Sequence, residues 1–167
     1  TFDDQCFLIT NIKEVFEKHG DDCLYITNTG YLSRAIFDAY PEKENILYMQ
    51  GSMGLSPAIA LGLALNTDKD VIAFVGDGSL LMHLGITHTI RDYNLKNLFV
   101  YVLDNGCHES VGGYDCSNLE ESYPGITKII KISNDGKKPR VGIECEKNVA
   151  MFKKRLSNND SAKPWTD

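Results

Sequence analysis

Val71-Ile72-Ala73-Phe74-Val75-Gly76-Asp77-Gly78-Ser79-Leu80 is the stretch that decides the fold. Five apolar residues in a row, most of them β-branched, predict a strand buried on both faces. The turn Gly76 to Ser79 follows, and Leu80 to Arg91 continues at helical spacing. A doubly buried strand leading straight into a helix is the repeating unit of a parallel sheet. Working outward, the unit recurs on both sides. Upstream lie a strand Ile46 to Met49, the turn Gln50 to Gly54, and a helix Ser56 to Leu65 that is apolar nearly all round and is expected to be buried. Before these come a strand Cys23 to Thr27, the turn Asn28-Thr29-Gly30, and a helix through Leu32, Ile36, Phe37 and Tyr40 that Pro41 ends. An amphipathic helix from Asp4 to His19 leads, with Gly20 as its stop. Downstream, a strand Leu98 to Leu103 opens into Asp104-Asn105-Gly106 and a long glycine-containing loop. Two further strands are read at Ile126 to Ile132 and Val141 to Cys145, and a closing helix at Val149 to Leu156. The reading is an α/β fold, a three-layer αβα arrangement around a mostly parallel six-stranded sheet. Residues 1–156 form the domain, and 157–167 a polar tail expected to lack fixed structure.

With 167 residues, 43% hydrophobic and 24% charged, the chain can bury one stable core. A net charge of -6 argues against nucleic acid as a partner, since phosphate backbones demand clustered cations. The basic run Lys153-Lys154-Arg155 reads as the last turn of a helix. Five cysteines, an odd number without C-x-x-C spacing, predict reduced thiols and a cytoplasmic location, with Cys23 and Cys145 inside apolar strand runs. No apolar run is long enough to cross a membrane. Thr1 is not an initiator, so a domain drawn from something longer is expected.

Gly76-Asp77-Gly78-Ser79 carries the chemistry. Glycines let a backbone approach an anion closely, a helix start offers N–H groups, and Asp77 adds a carboxylate for a hard cation. The same residues would also serve a plain helix cap in a tight turn. The turn lacks the Gly-Lys-Ser/Thr ending of a phosphate-binding loop, and Leu81 stands where a dinucleotide fingerprint needs its third glycine. Twenty-six residues separate Gly78 from Asn105, at the end of the next strand. One helix and one strand return the chain to the same sheet edge, so the two turns can face one cation.

At these residues the chain resembles the thiamine-diphosphate-dependent enzyme superfamily, whose cofactor motif is Gly-Asp-Gly, a spacer of this length, and Asn. The resemblance implies Mg2+ held by Asp77, Asn105 and the Cys107 backbone carbonyl, and bridging the diphosphate of thiamine diphosphate. It assigns Gly76, Gly78 and Ser79 to cofactor binding, with Thr29 and Gly30 touching the diphosphate. Gly51 takes the place whose carbonyl meets the aminopyrimidine, and Met53 the place of the wedge that keeps the cofactor bent. Asp104 is read as structural.

The string Asn105-Gly-Cys-His-Glu-Ser-Val-Gly-Gly113 is similar to phosphonopyruvate decarboxylase and the related sulfopyruvate decarboxylase. It implies a loop of His108, Glu109 and Ser110 over the cofactor, facing the anionic end of the substrate, with His108 as the candidate catalytic residue. A hydrogen-bonded loop histidine is the alternative for His108. The implied reaction turns phosphonopyruvate into phosphonoacetaldehyde and CO2. A sulfopyruvate decarboxylase beta subunit, a carboligating synthase and a non-catalytic interaction domain are the alternatives. The likeness runs from about Asp21 to Gly113, and Pro139-Arg-Val-Gly-Ile-Glu144 does not fit it. In this superfamily the activating glutamate sits on a pyrimidine-binding domain, and neither Glu109 nor Glu144 is taken for it. A pyrimidine-binding domain or subunit, in a homo- or hetero-oligomer, is therefore the expected partner.

Overall fold

The computed structural model describes residues 8–133, 136 and 139–157. Asp4 to Phe7, read from the sequence as the start of the leading helix, and the polar tail beyond Ser157 lie outside them. In chain order the elements are α1 (Leu8–His19), β1 (Leu24–Thr27), α2 (Tyr31–Ala39), β2 (Ile46–Tyr48), α3 (Ser56–Ala64), β3 (Val71–Gly76), α4 (Asp77–Met82), α5 (Ile86–Tyr93), β4 (Leu98–Asp104), β5 (Cys107–His108), β6 (Tyr114–Asp115), β7 (Lys128–Lys131) and α6 (Cys145–Ser157). The main sheet has the order β2-β1-β3-β4-β7 and every pairing in it is parallel.

Side chains alternate across the strands, and the two faces bury different partners. On one face Tyr25, Ile72, Phe74 and Tyr101 pack beneath Ile12, Val15 and Phe16 of α1 and Ile36 of α2. On the other, Ile26, Ala73, Val75, Val100 and Val102 meet Ala60 and Leu61 of α3, Ile90 of α5 and Phe152 of α6. The Phe16 ring meets Tyr25 edge-on at 4.6 Å and Tyr40 at 4.9 Å. Each such contact adds about 0.5–1.5 kcal/mol beyond area burial. No helix of the described residues is long and apolar enough to cross a membrane.

Three expectations change. The main sheet has five strands rather than six, because residues 141–144 form no strand and Cys145, exposed, begins α6. The outer edge of β2 is instead closed by a side chain: Asn148 of α6 accepts from Tyr48 N–H at 2.9 Å and donates to the Ile46 carbonyl at 2.8 Å. The helix read from Leu80 to Arg91 is two helices, and α4 starts at Asp77, inside the predicted turn. Between them, bonds of 3.0 Å from His83 N–H to the Leu80 carbonyl and from Ile86 N–H to the His83 carbonyl tighten the chain over three residues, next to Gly85. Finally, α3 is buried on one side only. Ala60, Leu61 and Ala64 face the sheet, while Ile59 (36%) and Leu65 (40%) remain exposed, since one sheet face can cover only one side of a helix.

The order in which strands are added reverses between β1 and β3: β2 lies beyond β1, whereas β4 and β7 lie beyond β3. In open α/β sheets such a switch point leaves a crevice at the carboxyl ends of the strands.

Candidate functional site

The crevice is built where β1, β3 and β4 end. β3 and β4 run in register to Gly76 opposite Leu103, so Asp77 and Asp104 emerge side by side. The Gly106 N–H joins them, donating to Asp77 Oδ2 at 2.9 Å and to Asp104 Oδ1 at 3.0 Å. Both carboxylates are 4% exposed. Burial raises the Asp77 carboxyl above its ordinary range, and the neighbouring Asp104 adds to the rise, while the Gly78 and Gly106 N–H groups oppose it. Asp104 is held from outside by an ion pair with the Lys131 ammonium.

Asn105 turns back on its own loop. Its Oδ1 accepts from Cys107 N–H at 3.3 Å, and its Nδ2 donates to Glu109 Oε2 at 3.2 Å. Glu109 Oε1 in turn accepts from Gly136 N–H at 2.8 Å. β5 and β6 pair antiparallel, and Gly113 N–H closes the hairpin on the His108 carbonyl at 3.1 Å. Gly112 (φ 114°) and Gly113 (φ 70°) make that reversal, which explains the paired glycines.

The hairpin presses its first residues onto the crevice. A Cβ added at Gly78 would lie 2.3 Å from His108 Cε1, so the imidazole packs directly on the second residue of α4. At Gly30 an added Cβ would lie 3.3 Å from Ser110 Oγ. Thr29, Gly30, Met53, Gly76, Asp77, Gly78, Ser79, Asn105, Cys107, His108, Glu109 and Ser110 thus line one cleft of about 680 Å3. Gly51, exposed, is outside that lining, two residues from Met53.

Sequence reasoning missed the residue that ties the cleft together. Asn28, 1% exposed, donates from Nδ2 to Ser79 Oγ at 2.6 Å and accepts on Oδ1 from Gly54 N–H at 3.0 Å. Its own N–H reaches the Phe74 carbonyl at 3.1 Å, and its carbonyl accepts from Ser33 Oγ. One amide therefore fixes the turns after β1, after β2 and after β3. The turn carrying Met53 is pressed so close to α4 that a Cβ at Gly54 would lie 2.4 Å from the Ser79 carbonyl oxygen. Nothing in an Asn-Thr-Gly turn marks its first residue as more than a turn former. Cys116 is a second addition: its N–H bonds the Gly106 carbonyl at 2.9 Å, and burial, then Asp77 and Asp104, push its thiol up.

The donor chemistry fits a hard divalent cation. Two buried carboxylates meet at the Gly106 N–H, a lysine pairs with one of them, and the Asn105 amide and the Cys107 carbonyl offer oxygen donors. Among the described residues no three of His, Cys, Asp and Glu converge as a metal-holding group. A cation here would take few protein ligands and fill its shell with phosphate and water oxygens, as Mg2+ does.

The thiamine pyrophosphate enzyme, C-terminal TPP binding domain family matches residues 25–137. Sulfopyruvate decarboxylase subunit beta of Methanocaldococcus jannaschii is 39% identical over 119 residues, 68% of this chain and 63% of that protein. Sulfopyruvate decarboxylase of Methanosarcina acetivorans is 43% identical over 59% of this chain and 25% of its own. Phosphonopyruvate decarboxylase of Streptomyces viridochromogenes is 39% identical over 63% of this chain and 26% of its own. The match thus covers less than two thirds of each of these relatives. A solved structure of a Mycobacterium smegmatis enzyme described as thiamin diphosphate-dependent superposes on 77% of the chain and 32% of its own, with a TM-score of 0.57 at 17% identity, a likeness of fold.

Proposed function

From the premise that the chain belongs to the thiamine pyrophosphate enzyme family through its C-terminal TPP binding domain, we propose that it anchors thiamine diphosphate through Mg2+ for decarboxylation of a 2-oxo acid bearing a 3-phosphono or 3-sulfo group. The observation that carries this is the single Gly106 N–H shared by Asp77 and Asp104, which brings the loops of Asp77 and Asn105 to one point. Asp77, Asn105 and the Cys107 carbonyl hold the cation. Thr29, Gly30, Gly76, Gly78 and Ser79 seat the diphosphate, and Gly51 and Met53 take the pyrimidine end. When bound, the cofactor supplies the electron sink that lets carbon dioxide leave a 2-oxo acid.

The chain's own part is orientation and exclusion of water. The Asn28 bonds fix three turns relative to one another, which positions diphosphate and pyrimidine contacts together. The loop of His108, Glu109 and Ser110 closes the cleft against water, with the His108 imidazole as the group that holds or passes a proton. A pyrimidine-binding domain or subunit supplies the activating carboxylate. The relatives named as beta subunits support a partner chain. The free cysteines among the described residues suit a reducing cytoplasm.

The test combines the chain with a pyrimidine-binding partner, thiamine diphosphate and Mg2+, and offers phosphonopyruvate, sulfopyruvate and pyruvate. CO2 and aldehyde are expected from one or both 3-substituted acids, only with the partner present. His108→Ala is expected to lower kcat by roughly 100-fold, within the usual range for a proton-transfer group. Turnover by the chain alone, or no turnover of either 3-substituted acid with the partner present, contradicts the reading.

A further inference from the structure

Glu109 stands in the loop that the sequence places over the cofactor, facing the anionic end of the substrate, yet both of its oxygens are turned to the chain itself. Oε2 accepts from Asn105 Nδ2 at 3.2 Å and Oε1 from Gly136 N–H at 2.8 Å. The residue is half-buried in the lining of the cofactor cleft. A carboxylate aimed at a phosphonate or sulfonate would repel it. One turned onto an amide instead fixes how that amide lies. An asparagine side chain has an acceptor end and a donor end of nearly the same shape, so its partners decide which end points where. At Asn105 the two partners agree. The Glu109 carboxylate only accepts and takes the Nδ2 end, while the Cys107 N–H only donates and takes Oδ1, at 3.3 Å. A hard cation is bound by the oxygen of an amide and not by its nitrogen, so the orientation selected here is the one that a ligand needs.

We infer that Glu109 is a positioning residue for the cation, acting through Asn105: it holds the amide nitrogen so that the amide oxygen is the end given to the metal, and it does not contact the substrate. The inference rests on the role proposed above for Asn105 as a metal ligand. Its second bond, to Gly136 N–H, steadies the carboxylate from the other side, so that the group doing the holding is itself held.

The test is a cycle of Glu109→Ala with Asn105→Asp in the full chain, read by Mn2+ titration followed by electron paramagnetic resonance, with and without thiamine diphosphate. In the wild-type background Glu109→Ala is expected to weaken Mn2+ binding by about 10–100-fold, the range for losing a group that orients a ligand. Asn105→Asp removes the need for orientation, because both ends of the substituted side chain are oxygens. It also sets two carboxylates against each other. In that background Glu109→Ala should therefore leave Mn2+ affinity unchanged or raise it. Equal weakening in both backgrounds would make Glu109 a support of the loop alone and overturn the inference. Mn2+ affinity unmoved by Glu109→Ala in the wild-type background would overturn it too, and a raised KM for the 3-substituted acid alongside would return Glu109 to the substrate. A second readout needs no metal: in the metal-free chain, one Asn105 side-chain amide proton should resonate downfield of a free amide and move back in Glu109→Ala. Identical signals in the two chains would overturn the hold itself. If the wild-type chain takes up Mn2+ but no thiamine diphosphate, the proposed function fails while the Mn2+ cycle still scores this inference. Uptake of neither ends both.

Discussion

Asp77 is a nearly solvent-free carboxylate, held by N–H groups yet pushed toward its neutral form by burial and by Asp104. Asparagine there would keep the shape and an acceptor for Gly106 N–H while removing the charge. Asp77→Asn is therefore expected to leave the metal-free chain at least as stable in urea, and to abolish Mg2+-dependent cofactor binding. The pH dependence has two signs. Because the folded carboxyl titrates above 3.8, the metal-free chain loses Asp77's contribution as pH rises through the raised value. Cofactor binding through the metal needs the ionised form, so affinity should fall as pH falls, beginning above the pH that an exposed aspartate would set. Cofactor titrations and urea midpoints across a pH series check both. The meeting of the Asp77 and Asn105 loops was legible in the sequence because one helix plus one strand fixes the spacing. Asn28 was not, since its role lies in bonds to Ser79 and Gly54, each 26 or more positions away.

The strand-turn-helix units were legible because doubly buried strands read as unbroken apolar runs, as in β3 and β4. The misread elements sit where one side chain overrides the local pattern. Val141 to Cys145 has the composition of a strand, but the edge it would pair with is occupied by Asn148, a polar residue in a predicted loop. Asn148→Ala leaves a buried donor and a buried acceptor of β2 without partners. It should destabilise the chain by about 1–3 kcal/mol in urea unfolding, with α6 the first element to lose amide protection. A change below about 0.5 kcal/mol would mean that the edge is satisfied some other way. The split between α4 and α5 was hidden for a similar reason, as helical spacing runs on through His83 to Gly85 while the backbone bonds change.

For the molecule as a whole, buried titratable groups set the pH range of stability. His19, the last residue of α1 with Nε2 2.9 Å from Tyr101 Oη, has its pKa lowered, by burial first and then by Lys18. Its neutral form is the folded one, so its contribution is complete above 6.5 and is lost as pH falls below that value. Cys23, donating to the Gly20 carbonyl at 3.0 Å, has its thiol pushed up to about 11 by burial, so its contribution is complete below 9.0 and is lost as pH rises toward 11. Urea midpoints should form a plateau between these limits, and Cys23→Ala should flatten the alkaline side. The account's central claim concerns the joined ends of β3 and β4, and calorimetric titration of thiamine diphosphate into the chain tests it most directly. Binding is predicted with Mg2+ present, and it should vanish on chelation and in both Asp77→Asn and Asn105→Ala. Equal affinity without the metal, or affinity unmoved by either substitution, would contradict it.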